Sequence, residues 1–212
     1  MTTNITMLTY GRPRLTEQAN RSLWENTPTY GITLMTFDDE AKIGTGSARN
    51  KVIEMSPRHD YLYLSDNDVY FKPGWLEALI ECYVFAKYNY NVQAIGAYVH
   101  PYNQPVTRWP YFCHALGAKV DICELYALSF QSWLMTWDVW DKYGKCNDSP
   151  PGMVRMGEDW EYSQRIRKDG GKVASILPPL IYSTGITDSF GNLIPGHELI
   201  SREPHPPEVI VE

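Results

Sequence analysis

Tyr61-Leu62-Tyr63-Leu64-Ser65-Asp66-Asn67-Asp68 joins a run of β-forming residues to a polar turn that carries two carboxylates one residue apart. Tyr61 to Leu64 reads as a short strand, so the acidic half falls where the chain leaves a sheet. Carboxylates so placed offer oxygens to a hard divalent cation such as Mg²⁺ or Mn²⁺. These ions take one or two carboxylates and complete their shell with substrate phosphates. The same triplet also suits a plain solvated turn, so its meaning depends on the flanking sequence.

Upstream, Ile5 to Thr9 is a short apolar strand stopped by Gly11-Arg12-Pro13. Arg14 to Asn26 carries Leu15, Ala19, Leu23 and Trp24 at helical spacing. Ile32 to Phe37 alternates as a second strand and ends in Asp38-Asp39. Ser47 to Met55 is a helix behind Gly44-Thr45-Gly46. Downstream, Pro73-Gly74 introduces a helix from Trp75 to Tyr88, then a strand from Gln93 to Val99. The order β-α-β-α-β-α-β predicts the α/β class, a mostly parallel central sheet flanked by helices, with ligands beyond the carboxyl ends of the strands.

The second half is less regular. Pro101 to Val120 reads as long loops and Leu125 to Trp137 as a strand. Asp138 caps a short helix that stops at Gly144. Glu158 to Lys168 is a helix, Lys172 to Leu177 a strand, and the proline-rich tail from Pro195 an irregular arm.

The 212 residues suit one large domain, and 43% hydrophobic with 21% charged residues is ordinary globular composition. Nineteen basic against 25 acidic residues give a net charge of -6, which supplies no general attraction for nucleic acid or anionic lipid. No run approaches the roughly 18 to 20 apolar residues of a bilayer span, and no basic stretch with an apolar core opens the chain. Cys82, Cys113, Cys123 and Cys146 form no CxxC pair. Reduced, buried thiols in a cytoplasmic protein are expected, the host cytoplasm if the source is viral.

Two further stretches bear chemistry. Gly44-Thr45-Gly46-Ser47-Ala48-Arg49-Asn50 opens a helix whose free N–H groups can face an anion, and Arg49 adds a forked cation suited to phosphate. Gly157-Glu158-Asp159-Trp160-Glu161 places acids at a helix start, where the helix dipole favours them. Asp159 also fits a general base, provided it comes within about 3 Å of an acceptor hydroxyl. Among the aromatic residues of the second half, Trp133 and Trp160 are the best placed to stack on a sugar or base, although core packing explains most such clusters.

Taken in order, Thr9-Tyr10-Gly11-Arg12-Pro13, Phe37-Asp38-Asp39, Gly46 to Asn50, Leu64 to Asp68 and Gly157 to Glu161 resemble the GT-A fold glycosyltransferases. The likeness is to their large inverting family that uses nucleotide-diphospho-sugars, and it runs over roughly residues 4 to 185. It implies a single Rossmann-like GT-A domain over 1–194, its donor half at 1–100 and acceptor half at 101–194, followed by the 195–212 arm. Thr9, Tyr10, Arg12 and Asn67 would then lie at the donor. Asp38 or Asp39 would hold the nucleobase or ribose, and Arg49 the base or diphosphate. Asp66 would approach the ribose and metal, Asp68 would bind the metal, and His197 would fill the place of a further metal ligand. Asp159 would be the base, with Glu158 binding hydroxyls, and Trp133 and Trp160 would line the acceptor side. Mn²⁺ or Mg²⁺ is the implied cofactor and a UDP-sugar the default donor. The acceptor stays open among saccharide, metabolite, protein and modified nucleic-acid base. The alternatives are a nucleotidyltransferase, disfavoured because only Gly11 follows the first strand, and a non-catalytic nucleotide-sugar-binding module.

Overall fold

The computed structural model describes residues 2–9, 12–28, 30–39, 43–97, 105–148 and 157–183. The first half alternates as expected: β1 (Thr3–Thr9), α1 (Pro13–Asn26), β2 (Ile32–Asp38), α2 (Thr45–Glu54), β3 (Tyr61–Asp66), the short β4 (Val69–Phe71), α3 (Trp75–Tyr90) and β5 (Val92–Gly96). Pro13 opens α1, where its missing N–H would have had no partner within the helix. α3 stops at Asn91, which takes the left-handed conformation with φ 60°. The second half comprises β6 (Thr107–Cys113), β7 (Ala118–Leu125), β8 (Ser132–Thr136), α4 (Trp137–Tyr143), α5 (Glu158–Lys168), β9 (Lys172–Leu177) and β10 (Ile181–Ser183).

Eight strands form one sheet in the order β2-β1-β3-β8-β5-β9-β7-β6. β1 runs parallel to β2 and β3, and β5 parallel to β9. β8 is antiparallel to β3 and β5, and β7 to β6 and β9. Only β8 and β7 therefore oppose the common direction, and the sheet is mostly parallel. Alternate side chains of each strand feed two cores. Tyr63 packs with α1 and α3 on one face, while Leu62 and Leu64 pack with α2, α4 and α5 on the other. On the first face the Trp75 ring sits 4.8 Å from Tyr63 and 4.6 Å from Phe71, and its Nε1 donates to Thr27 Oγ1 at 2.8 Å. The buried indole thus keeps its polar atom satisfied.

The structure corrects the second half in three places. Part of Pro101 to Val120 is not loop but the hairpin β6–β7, with Thr107 opposite Glu124 and Cys113 opposite Ala118. β6 is an edge strand whose Trp109, Tyr111 and Cys113 face the core while Arg108, Pro110 and Phe112 are exposed, and Pro110, which reads as a strand breaker, is tolerable only at such an edge. The apolar run from Leu125 to Trp137 is three elements rather than one: Leu125 closes β7, Ser132–Thr136 is β8, and Trp137 begins α4. Thr136, not Asp138, stands at the cap position, with Asp138 in the first turn. β4 and β10 pair antiparallel as a separate ribbon of three residues each, too short to leave a pattern.

Among the described residues, no helix is long and apolar enough to cross a membrane. Cys82, Cys113, Cys123 and Cys146 are free and buried, as expected.

Candidate active site at the carboxyl ends of the strands

Strand register gathers the first part of the site. Thr9 pairs with Asp38 and Leu8 with Asp66, so the ends of β2, β1 and β3 form one row. β8 runs the other way with Ser132 opposite Ser65, which brings Gln131 to the same edge. The chain then turns through Asp66-Asn67-Asp68. Asn67 is 1% exposed and donates to Thr16 Oγ1 at 2.9 Å, so it faces α1 as a pin for the turn.

The two flanking carboxylates are compensated unequally. Asp66 Oδ1 lies 2.5 Å from Arg49 Nη2, and Arg49 Nε lies 3.6 Å from Glu158 Oε1. Arg49 is 2% exposed, with its guanidinium 4.7 Å from the centre of the Phe130 ring. One enclosed cation thus ties the end of β3 to the start of α5. Asp68 has Arg12 Nη1 at 3.7 Å and accepts from Gln131 Nε2 at 3.4 Å, a bond at the long limit. Burial, and then the charge of Asp66, push the Asp68 carboxyl up to about 6, against the pull of Arg12. Asp68, desolvated and only weakly compensated, fits as an oxygen ligand of a hard divalent cation beside Asp66. Among the described residues no group of three His, Cys, Asp or Glu is assembled. Tyr10, His197 and the 195–212 arm lie outside the described residues.

The acids of α5 form the other side. Glu158 is 9% exposed. Asp159 Oδ1 accepts the Trp160 N–H at 2.7 Å. A helix N-terminus ordinarily lowers a carboxyl's pKa. Here desolvation outweighs it, and with the charge of Glu158 raises Asp159 to about 6. Arg49 lowers it and Asp66 raises it further, so the strand-end carboxylates and the helix-start acids share one electrostatic neighbourhood.

At the entry to α2 the Ser47 N–H is already taken. Asp148 occupies it, accepting from Ser47 N at 2.8 Å and Ser47 Oγ at 2.5 Å. Asn50 and Cys146 exchange two further bonds, both 2.8 Å. Gly46 permits this approach, since a Cβ there would stand 2.5 Å from the Asn147 carbonyl oxygen. The expected anion-facing loop is therefore closed by the protein's own carboxylate. Asp38 lines an open cavity of 570 Å³ together with Thr9 and Arg12. Asp39 is 5% exposed and accepts from Ile43 N at 2.8 Å, a local turn bond.

Trp133 corrects a site expectation. It is wholly buried, its ring 4.7 Å from Phe130 and 5.6 Å from Tyr162, so it has no face to offer a ligand. Trp160, beside Asp159, is 37% exposed. Gln131, Thr16 and Asp148 escaped the sequence reading because each is a lone polar residue; the Ser65–Ser132 register alone brings Gln131 to Asp68.

No protein-family model matches the chain, and no curated protein sequence matches it significantly. Solved structures do match. GalNAc-T7 with UDP, GalNAc and Mn²⁺ superposes over 83% of this chain and 43% of that one, at 12% identity and a TM-score of 0.57. TarS of S. aureus superposes over 86% of this chain and 36% of its own, at 12% identity and a TM-score of 0.57. The mannosyltransferase PcManGT from Pyrobaculum calidifontis, in complex with GDP-Man and Mn²⁺, does so over 84% and 54%, at 13% identity and a TM-score of 0.50. The chain spans between 36% and 54% of the length of these proteins. With its strand order, two-faced helix packing and these superpositions together, the chain has the GT-A glycosyltransferase fold.

Proposed function

We propose that the protein is a metal-dependent, inverting glycosyltransferase that moves a sugar from a nucleoside-diphosphate donor to an acceptor hydroxyl. The observation that carries this reading is the Asp66–Arg49–Glu158 bridge, which holds the carboxylate pair after β3 and the acids of α5 at one place in the fold. The superposed GT-A structures include two that hold Mn²⁺ with UDP or a GDP-sugar, and they support a donor of that class.

Asp66 and Asp68 would hold the divalent ion, which when bound offsets charge growing on the departing diphosphate. Thr9, Arg12 and Asp38, along the row of strand ends, would bind the nucleoside diphosphate. Arg49 orders Asp66 and Glu158 from beneath rather than reaching solvent. Asp159 would take the proton of the acceptor hydroxyl as that oxygen attacks the anomeric carbon. The bond from this carbon to the diphosphate oxygen breaks on the opposite face, so one base suffices and the anomeric configuration inverts. A carboxylate raised to about 6 is a stronger base than an ordinary aspartate, yet still largely ionised at pH 7.

The test is to incubate the protein with UDP- and GDP-sugars and Mn²⁺ and to measure release of the nucleoside diphosphate. Release that stops on chelation supports the proposal. Donor uptake without release, or release indifferent to chelator, overturns it.

A further inference from the structure

The solvent-facing stripe of α1 takes no part in the proposed transfer chemistry. Thr16, Asn20 and Trp24 stand four apart, with Glu17 and Arg21, also four apart, beside them, so the five share one side of the helix. They line the 570 Å³ cavity whose inner end holds Thr9, Arg12 and Asp38. From Arg12 to Trp24 the helix rises about 18 Å, longer than a nucleoside needs. Trp24 is 41% exposed, a large apolar ring turned to solvent at the outer end. Among the described residues Asn20 Oδ1 has no hydrogen-bond partner, an acceptor left unsatisfied at the cavity wall.

Charge narrows the occupant. Glu17 and Asp38 stand against Arg12 and Arg21, so the cavity's charged side chains balance and favour neither a polyanion nor a polycation. What remains is an exposed indole face, a carboxamide, a carboxylate and a guanidinium in a row. A ligand with an apolar ring face and neutral hydroxyls matches that combination: the ring lies on the indole, and hydroxyls donate to the amide and carboxylate oxygens and accept from the guanidinium. The helix pins the array close to the catalytic turn, because Thr16 accepts from Asn67 and Arg12 faces Asp68.

We infer that the outer part of this cavity, from Glu17 to Trp24, is a binding site for a neutral saccharide chain, separate from the donor position. The site does not depend on the transfer chemistry, so its failure and that of the proposed function are distinguishable.

Calorimetric titration with cellohexaose, maltohexaose and chitohexaose at millimolar concentration tests it, alongside UDP with Mn²⁺. Binding of at least one oligosaccharide is expected. Trp24→Ala should weaken it about tenfold through loss of ring stacking, with UDP affinity unchanged. Asn20→Ala, on the same helix face, should weaken it in the same direction. Trp24 and Asn20 lie outside the packed side of α1, and a far-UV spectrum checks that each variant folds. The inference is overturned if none of the three sugars binds, if binding survives both substitutions, or if Trp24→Ala weakens UDP instead, which would make the groove part of the donor site.

Discussion

The carboxylates after β3 and the acids of α5 face the same place but are held there by different means. Asp66 and Asp38 are set by the backbone ladder, since Leu8 pairs with Asp66 and Thr9 with Asp38 in a continuous parallel register. Glu158 and Asp159 have no such ladder. They depend on side chains: Arg49 reaches from Asp66 to Glu158, and Arg165 of α5 donates to the carbonyls of Tyr143 at 2.5 Å and Lys145 at 2.8 Å, in a segment that Asn50 holds by exchanging bonds with Cys146 and that Ser47 holds by donating twice to Asp148. A ladder distributes its load over many bonds, whereas a staple concentrates it in a few. Donor binding should therefore tolerate damage that displaces the base.

The largest effect expected is at Asp68, the carboxylate just beyond the ladder that is proposed to hold the metal. Asp68→Asn should weaken Mn²⁺-dependent donor binding by roughly 100-fold or more, since even residues one step behind a metal ligand are worth about 10- to 100-fold. Calorimetry with and without Mn²⁺ reads this directly. Next is the core that carries both sides. Trp133→Ala should cost about 3–5 kcal/mol of stability, whereas Trp160→Ala should stay within about 0.5 kcal/mol, measured by denaturant unfolding. Equal costs would mean that the two indoles have been placed wrongly. On the staple side, Asn50→Ala leaves the Cys146 N–H and C=O without their partner, a loss of about 1–3 kcal/mol. Its turnover should fall while donor affinity holds. A matching fall in donor affinity would erase the contrast between ladder and staple.

The pH response is the smallest and most discriminating effect. Asp159 is raised from 3.8 to about 6 in the folded chain, so turnover should climb through an acid limb near pH 6 as the base ionises. The stability sign is opposite. A carboxyl whose folded pKa exceeds its unfolded one favours the fold fully below 3.8 and loses that favour as pH rises through about 6. Asp159→Asn should thus raise the melting temperature at pH 8 and change it little at pH 4, by calorimetric scanning.

The legible part of the chain was the part built from local repeats. β1 and β3 are apolar runs buried on both faces, α1 buries one side, and the alternation of strands and helices is written in residues Ile5 to Tyr88. The strand-end triplet was readable because it stands where an apolar strand leaves the sheet and falls in order with the other motifs, since two carboxylates one residue apart recur at Asp38–Glu40 and Asp159–Glu161. The middle residue was not: whether Asn67 faces ligand or helix depends on Thr16, 51 positions away. The same holds for Arg49, whose sequence neighbours suggest a phosphate contact and whose burial between Asp66 and Glu158 makes it a bridge. β6 and β7 were invisible for another reason. The alternation of Trp109, Tyr111 and Cys113 is interrupted to the eye by Pro110, which an edge strand accommodates because its backbone is satisfied on one side only.

Asp159→Asn with Mn²⁺ and a turned-over nucleotide-sugar separates binding from chemistry most directly. Donor affinity should stay near that of the unaltered protein while turnover falls about 10²- to 10⁴-fold, the usual worth of a positioned base. Turnover that survives the substitution would contradict the role given to α5 and, with it, the chemistry proposed for the site.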